Sequence, residues 1–229
     1  MNIDAVVGGQ WGDEGKGKIV DLLSKNVNIV ARYQGGANAG HTVYKDDNKI
    51  VLHQIPTGAL RESCICILGN GMVIDPIGIL EEINTLKTLK IQVKNRIMID
   101  YYSHIVTPIH KYIDKTNEQR TNNKIGTTCK GIGPTYSDKY NRKGIRAIDL
   151  LSDDILKEKI DKRLLTAINN NEIDQKDIEL LKQDIKIFYN TTKEIKEYIQ
   201  DTFSVLYNSK FPNILIEGAQ GTMLDIDYG

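Results

Sequence analysis

Three cysteines in 229 residues, an odd number without framework spacing, exclude a disulfide-stapled scaffold. Cys64 and Cys66 lie one residue apart in an apolar run and so share one strand face. With Cys129 they read as small hydrophobes of a reducing compartment, not as a metal site. Excess charge is absent too: 30 Lys and Arg balance 30 Asp and Glu. That balance excludes a nucleic-acid wrapper or a binder of acidic membrane surfaces, both of which carry a basic surplus. No apolar run approaches membrane-spanning length, and the opening Met1-Asn2-Ile3-Asp4 lacks the basic start of a secretory leader. The expectation is a cytoplasmic protein with no membrane and no nucleic-acid partner. Internal repeats and low-complexity linkers are missing as well. What is there is ordinary: 40% hydrophobic and 26% charged residues, enough for one large domain or most of a bigger one.

The apolar pattern gives the fold class. Ile3 to Val7 is a short Val- and Ile-containing run that ends in Gly8-Gly9, as a buried strand entering a phosphate-type loop would. From Lys16 the apolar residues Ile19, Val20, Leu22 and Leu23 take helical spacing. Asn28 to Tyr33 is a second strand ending in Gly35-Gly36. Strand, glycine loop, helix, strand, glycine loop is the signature of an α/β protein with a mostly parallel central sheet. Val43 to Ile55 reads as a hairpin around Asp46-Asp47-Asn48, Cys64 to Leu68 and Arg96 to Asp100 as strands, and Pro76 as the opening of a helix. Asp153 to Lys196 carries Ile and Leu at helical spacing among many charges, as two or three amphipathic helices whose charges form a solvated face. Residues 101–210 are therefore expected to be a mainly helical subdomain. Asn213 to Ile216 is a late strand, followed by a loop from Glu217 to Thr222. The chain stops at Asp227-Tyr228-Gly229 without a terminal helix or polar tail, and reads as the N-terminal portion, residues 1–229, of a single truncated domain.

Three glycine-rich segments carry the chemistry. Gly12-x4-Gly17-Lys18 fits most of a phosphate-loop pattern, but Ile19 stands where a hydroxyl would bind Mg²⁺. Glycines let backbone N–H groups crowd a phosphate, the following helix N-terminus favours negative charge, and Lys16 and Lys18 add cations. Asp13 and Glu14 inside this cradle would repel an anion unless they bind a metal, act as a base, or both. The second segment, Gln34 to Thr42, places His41 in a loop after a strand, where open α/β sheets bind ligands. His53, His104 and His110 lack such a setting and are left out of the catalytic set. The third, Ile125 to Pro134, offers Thr127, Thr128 and Lys130, and a basic cluster of Lys139, Arg142, Lys143 and Arg146 follows it.

Gln10-Trp11-Gly12-Asp13-Glu14-Gly15-Lys16-Gly17-Lys18 resembles the signature of adenylosuccinate synthetases, and the likeness continues through 33–42, 125–134 and 217–227. That family uses GTP to join inosine monophosphate (IMP) to L-aspartate in purine biosynthesis. The resemblance implies Asp13, His41 and Lys16 as the catalytic residues. It implies a GTP site from Gly12, Asp13, Glu14, Gly15, Lys16, Gly17, Lys18, Gly40, His41 and Thr42. It implies an IMP site from residues 13–16 with Asn38, Ala39, Gly40, His41, Thr128, Arg142 and Gln220. One Mg²⁺ per subunit would sit on Asp13 and the Gly40 carbonyl, and Arg142 would reach the neighbouring site of a homodimer. Cys129 stands where many members carry glycine. Members are also almost twice this long, and the segments for guanine and aspartate would lie beyond Gly229. Two other readings stay open: a different phosphate-loop enzyme such as a small-molecule kinase, and a nucleotide-binding or dimerising fragment without activity of its own.

Overall fold

The computed structural model describes residues 1–45, 47–121, 126–208, 210–225 and 228–229. Asp46 of the expected hairpin turn, Ile125 of the third glycine segment and Asp227 near the end lie outside the described residues. In chain order the elements are β1 (Asn2–Gly8), α1 (Lys16–Leu23), β2 (Ile29–Arg32), β3 (His41–Lys45), β4 (Asn48–Leu52), β5 (Ile65–Leu68) and β6 (Val73–Ile74). There follow α2 (Pro76–Thr88), β7 (Ile97–Asp100), β8 (His104–Ile105), α3 (Pro108–Arg120), α4 (Ile132–Tyr140), α5 (Asp153–Asn169) and α6 (Ile178–Ile195). The last are β9 (Ile199–Gln200), α7 (Thr202–Leu206) and β10 (Asn213–Gly221).

Six strands form one parallel sheet in the order β1-β10-β2-β5-β7-β9. Its central strands are apolar on both faces, as a parallel sheet covered by helices requires. Val30, Cys66, Leu68, Ile97, Ile99 and Leu215 fall on one face by the period of two. Ile29, Ala31, Ile67, Met98 and Ile214 fall on the other, where Val205 and Leu206 of α7 cover them. The first face carries the larger core, into which α2 contributes Ile79, Ile83 and Leu86, and α6 contributes Leu181, Ile185 and Phe188. α2 begins where the sequence puts it: Asp75 accepts from the Ile77 N–H at the N-cap, and Pro76 opens the first turn. The charged stretch forms two helices, α5 and α6, while β9, just after them, joins the far edge of the main sheet. The hairpin is β3 against β4, antiparallel, with His41 opposite Leu52.

Two expectations change. β1 is not buried: Ile3 is 60% and Val7 63% exposed. Among the described residues β1 pairs on one side only, with β10, so it is a sheet edge despite its apolar sequence. The segment from Glu217 to Gly221 is not a loop either, but the second half of β10. Its two glycines leave room for close neighbours instead of ending the strand. A Cβ on Gly218 would lie 3.0 Å from the Val6 carbonyl oxygen of the adjoining strand.

Candidate functional site

Because β10 is inserted between β1 and β2, the carboxyl ends of these three strands bring residues 8–15, 217–222 and 33–41 together. The loop after β1 turns through Gly12 and Gly15, at φ 92° and 87°, a left-handed region that glycine enters without cost. Gly15 caps α1 with no side-chain hydrogen bond, so no side chain blocks the first-turn N–H groups. The loop rests on the end of β10. Thr222 Oγ1 donates to the Gly8 carbonyl at 2.8 Å and the Met223 N–H to the Gln10 carbonyl at 2.9 Å. A Cβ on Gly221 would lie 2.0 Å from the Gln10 oxygen and 2.4 Å from the Gly12 nitrogen.

The two acids of the loop part company. Glu14 folds back so that its Oε1 accepts from the N–H groups of Gln10 at 2.7 Å and Gly12 at 3.0 Å. The Lys16 ammonium, 4% exposed, donates to Glu14 Oε2 at 3.3 Å and to the Gly12 carbonyl at 3.1 Å. The Gly12 N–H above all, then the other loop amides and Lys16, hold the Glu14 carboxyl down at about 2. Asp13 is exposed and has no hydrogen-bond or ion-pair partner among the described residues. One acid therefore braces the loop and the other is free.

His41, expected in a loop, is instead the first residue of β3, paired opposite Leu52, and is 5% exposed. Its Nδ1 meets Glu217 Oε1, while Glu217 Oε2 accepts from the Thr57 N–H at 2.9 Å and the Thr57 hydroxyl at 3.3 Å. Nε2 of the same ring is buried and has no partner among the described residues. Gly17 lets α1 approach this ring, since a Cβ there would lie 2.9 Å from the His41 Cβ. Arg32, fully buried at the end of β2 and in register with Glu217, donates to the His53 carbonyl. His53 Nδ1 bonds the Ala39 carbonyl at 3.0 Å, and Lys130 donates to the Ala37 carbonyl at 2.7 Å. These two side chains fix the backbone just before His41. His110, by contrast, caps α3 with Thr107 and bonds Asp138 at 3.1 Å, a structural role.

Glu82 of α2 lies under the same region, accepting from the N–H groups of Gln54 and Ile55, both at 3.0 Å. Burial pushes its carboxyl up to about 7 from an ordinary 4.5. The folded state therefore keeps this proton over a range in which the unfolded chain has lost it. The contribution to stability is full below pH 4.5 and is lost as pH rises through about 7. Its size is about 3 kcal/mol at most, since a tenfold change in proton affinity is worth about 1.36 kcal/mol. Denaturant titrations of the native chain and of Glu82→Gln from pH 4.5 to 8 are expected to show this slope only in the native chain. An identical slope in both would contradict the assignment.

Of the other residues singled out in the sequence, Gln220 reaches the site. It lines a cavity of about 720 Å³ with Gly35, Tyr136, Lys139 and Asn141. Tyr136 Oη donates to the Gly71 carbonyl at 2.8 Å and accepts from the Gly35 N–H at 3.0 Å, tying together three residues that line that cavity. Thr42 is half-buried in β3, opposite Val51. Asn38 has a buried Oδ1 without a partner among the described residues. Thr128 and Arg142 are both exposed, and no side-chain hydrogen bond ties either to the loops among the described residues. Arg142 takes φ 58° just after α4, and Cys129 takes φ 51°, conformations that glycine adopts more cheaply. Glu217, Arg32 and Thr57 carry no role that the motifs alone suggest. The available signal was a single charge closing each of two apolar strand runs, Ile29-Val30-Ala31-Arg32 and Ile214-Leu215-Ile216-Glu217, since a buried charge needs a partner.

The family model for adenylosuccinate synthetase matches residues 5–229. The adenylosuccinate synthetase of Chlorobium limicola is 47% identical over 233 residues, covering 98% of this chain and 52% of the relative. That of Salinibacter ruber is 44% identical over 242 residues, covering 100% and 55%. This chain thus spans about half the length of the curated relatives it matches. The structure of a fully ligated adenylosuccinate synthetase from Plasmodium falciparum superposes with a TM-score of 0.88 at 39% identity, over 100% of this chain and 54% of that one. A cyanophage S-2L succinoaminodeoxyadenylate synthetase shares the fold at a TM-score of 0.66 and 21% identity. The parallel sheet, the glycine loop on its edge strand and these matches agree, and the chain belongs to the adenylosuccinate synthetase family.

Proposed function

We propose that this chain carries the nucleotide-handling part of an enzyme that ligates IMP and L-aspartate to adenylosuccinate, with GTP converted to GDP and phosphate. The observation that carries the reading is Asp13: an exposed carboxylate with no partner among the described residues, in a loop whose other acid is already occupied by backbone amides. A carboxylate left free beside a phosphate cradle has work to do on the substrate or on a metal. Asp13 takes the N1 proton of IMP, which makes the 6-oxygen a nucleophile toward the γ-phosphate of GTP. His41 stabilises charge building on the leaving diphosphate, and Lys16 offsets charge on the phosphoryl oxygens. Aspartate then displaces phosphate from the 6-phosphoryl-IMP formed.

The residues present fit Mg²⁺, which takes one or two protein oxygens together with phosphate oxygens. Asp13 and the Gly40 carbonyl would hold it, and it would supply charge neutralisation at the transferring group. Residues 12–18 and 40–42 bind GTP. Residues 13–16 and 38–41, with Thr128 and Gln220, bind IMP. Arg142, its side chain exposed and unpaired among the described residues, serves the site of a second copy in a homodimer. A cytoplasmic location fits the free, buried Cys64 and Cys66 and the absence, among the described residues, of a helix able to cross a membrane. Residues 1–229 form one portion of a single family domain, with 101–210 as its mainly helical part.

The exposed apolar side chains of β1 and α1, with Ile19 at 49% and Leu22 at 57%, favour a second reading for the chain by itself: a nucleotide-binding, dimerising unit without turnover. The test mixes the protein with GTP, Mg²⁺, IMP and aspartate and measures adenylosuccinate and phosphate. Aspartate-dependent formation of both supports the ligase. Phosphate release independent of aspartate would sink it in favour of a kinase-like activity. Nucleotide binding without product is the outcome expected of the second reading.

A further inference from the structure

Glu217 is a fully buried carboxylate that the ligase reading leaves without a task. Its partners among the described residues are hydrogen-bond donors and the His41 ring. Oε2 takes the Thr57 N–H at 2.9 Å and the Thr57 hydroxyl at 3.3 Å, and Oε1 faces His41 Nδ1. The buried guanidinium of Arg32 lies in register beside it on β2 and attracts it. α1 passes close to this ring at Gly17, where an added Cβ would lie 2.9 Å from the His41 Cβ and 3.4 Å from its Cγ. A carboxylate only accepts hydrogen bonds, so a ring nitrogen held against it must carry the proton. The other nitrogen, Nε2, has no partner among the described residues.

We propose that Glu217 is the positioning residue of His41: it fixes the neutral ring as the Nδ1–H tautomer and leaves Nε2 as the position that meets the ligand. In that state Nε2 is an acceptor, and it becomes a donor only when the ring takes up a second proton, whose charge Glu217 then balances at Nδ1. Glu217 thereby holds the ring in one orientation, with Nε2 left for the chemistry of the site. This use rests on the proposed ligase activity, but the tautomer itself does not.

Thr57 supplies the decisive variant. Its backbone N–H can only donate, so in Glu217→Gln it takes the single amide oxygen. The amide NH₂ is then left facing Nδ1, which must become an acceptor, and the ring proton moves to Nε2. A neutral isostere is thus expected to reverse the major tautomer instead of merely loosening the ring. Long-range ¹⁵N–¹H correlation of the 4 histidines, with His41 assigned by its loss in His41→Asn, reads this directly on the neutral rings. The native chain should show Nδ1 protonated and Nε2 bare, and Glu217→Gln should show the opposite. Thr57→Val removes the hydroxyl but keeps the N–H, and should leave the native tautomer in place. A native His41 protonated at Nε2, or a folded Glu217→Gln that keeps Nδ1–H, overturns the proposal. If Glu217→Gln does not fold, the native spectrum alone still decides it. Because no turnover is needed, failure here is separate from failure to form adenylosuccinate.

Discussion

Gly221→Ala is expected to lower the affinity of the chain for guanine nucleotide by about 100-fold or more, equivalent to about 2.7 kcal/mol. The added methyl would lie 2.0 Å from the Gln10 carbonyl oxygen and 2.4 Å from the Gly12 nitrogen. Both are backbone atoms of the phosphate loop and cannot swing aside as a flexible side chain can. Relief requires the loop to lift off β10, breaking the Thr222–Gly8 and Met223–Gln10 hydrogen bonds and moving the amides that Glu14 holds. Overpacking of this kind costs about 1–3 kcal/mol of stability as well. Gly9→Ala is the matched control, because a Cβ there meets nothing within 4 Å. Its stability should stay within about 0.5 kcal/mol of native. Calorimetric titration with GDP and Mg²⁺, paired with thermal unfolding, makes the comparison. Native-like affinity in Gly221→Ala would show that the loop does not depend on β10.

Asp13→Asn is expected to reduce adenylosuccinate formation by about 10²–10⁴-fold, the range a positioned general base supplies. The substitution keeps size and shape but removes the proton acceptor. Since Asp13 is exposed and has no partner among the described residues, unfolding free energy should move by no more than about 0.5 kcal/mol. His41→Asn also removes turnover, but it does not leave the fold untouched. It strips a hydrogen-bond donor from the buried Glu217, and leaving a buried acceptor without its partner costs about 1–3 kcal/mol. The two variants thus separate the proposed base, which has no structural partner among the described residues, from a proposed catalytic residue that also braces Glu217. Turnover near native in Asp13→Asn would end the assignment of the base.

The loops were legible in the sequence because their chemistry is local. Glycine density, an acid pair and two lysines sit within residues 8–18, and His41 follows Gly40 directly. The hairpin, α2, α5 and α6 were legible for a similar reason, since periodicity of two or 3.6 needs only neighbouring residues. What could not be read is pairing between distant segments. Nothing near Ile214 says that it lies between β1 and β2, and without that placement Glu217 has no visible link to His41 or Thr57. The exposure of β1 was hidden for the opposite reason: Ile3 and Val7 look like core, and only the strand order shows one side open. β9 is too short, at two residues, to leave a pattern.

The insertion of β10 also sets a schedule for folding. Asn2 pairs with Asn213, a separation of 211 residues. The entropy of closing so long a loop grows only slowly with length, but contacts this remote form late. On the ribosome, β2, β5, β7 and the helices that cover them can assemble while β1 still has no neighbour. The glycine loop precedes Gly221 and Thr222 by roughly 200 residues and has no floor until they arrive. The floor of the glycine loop is therefore a long-range product of folding, present only once β1 and β10 have paired.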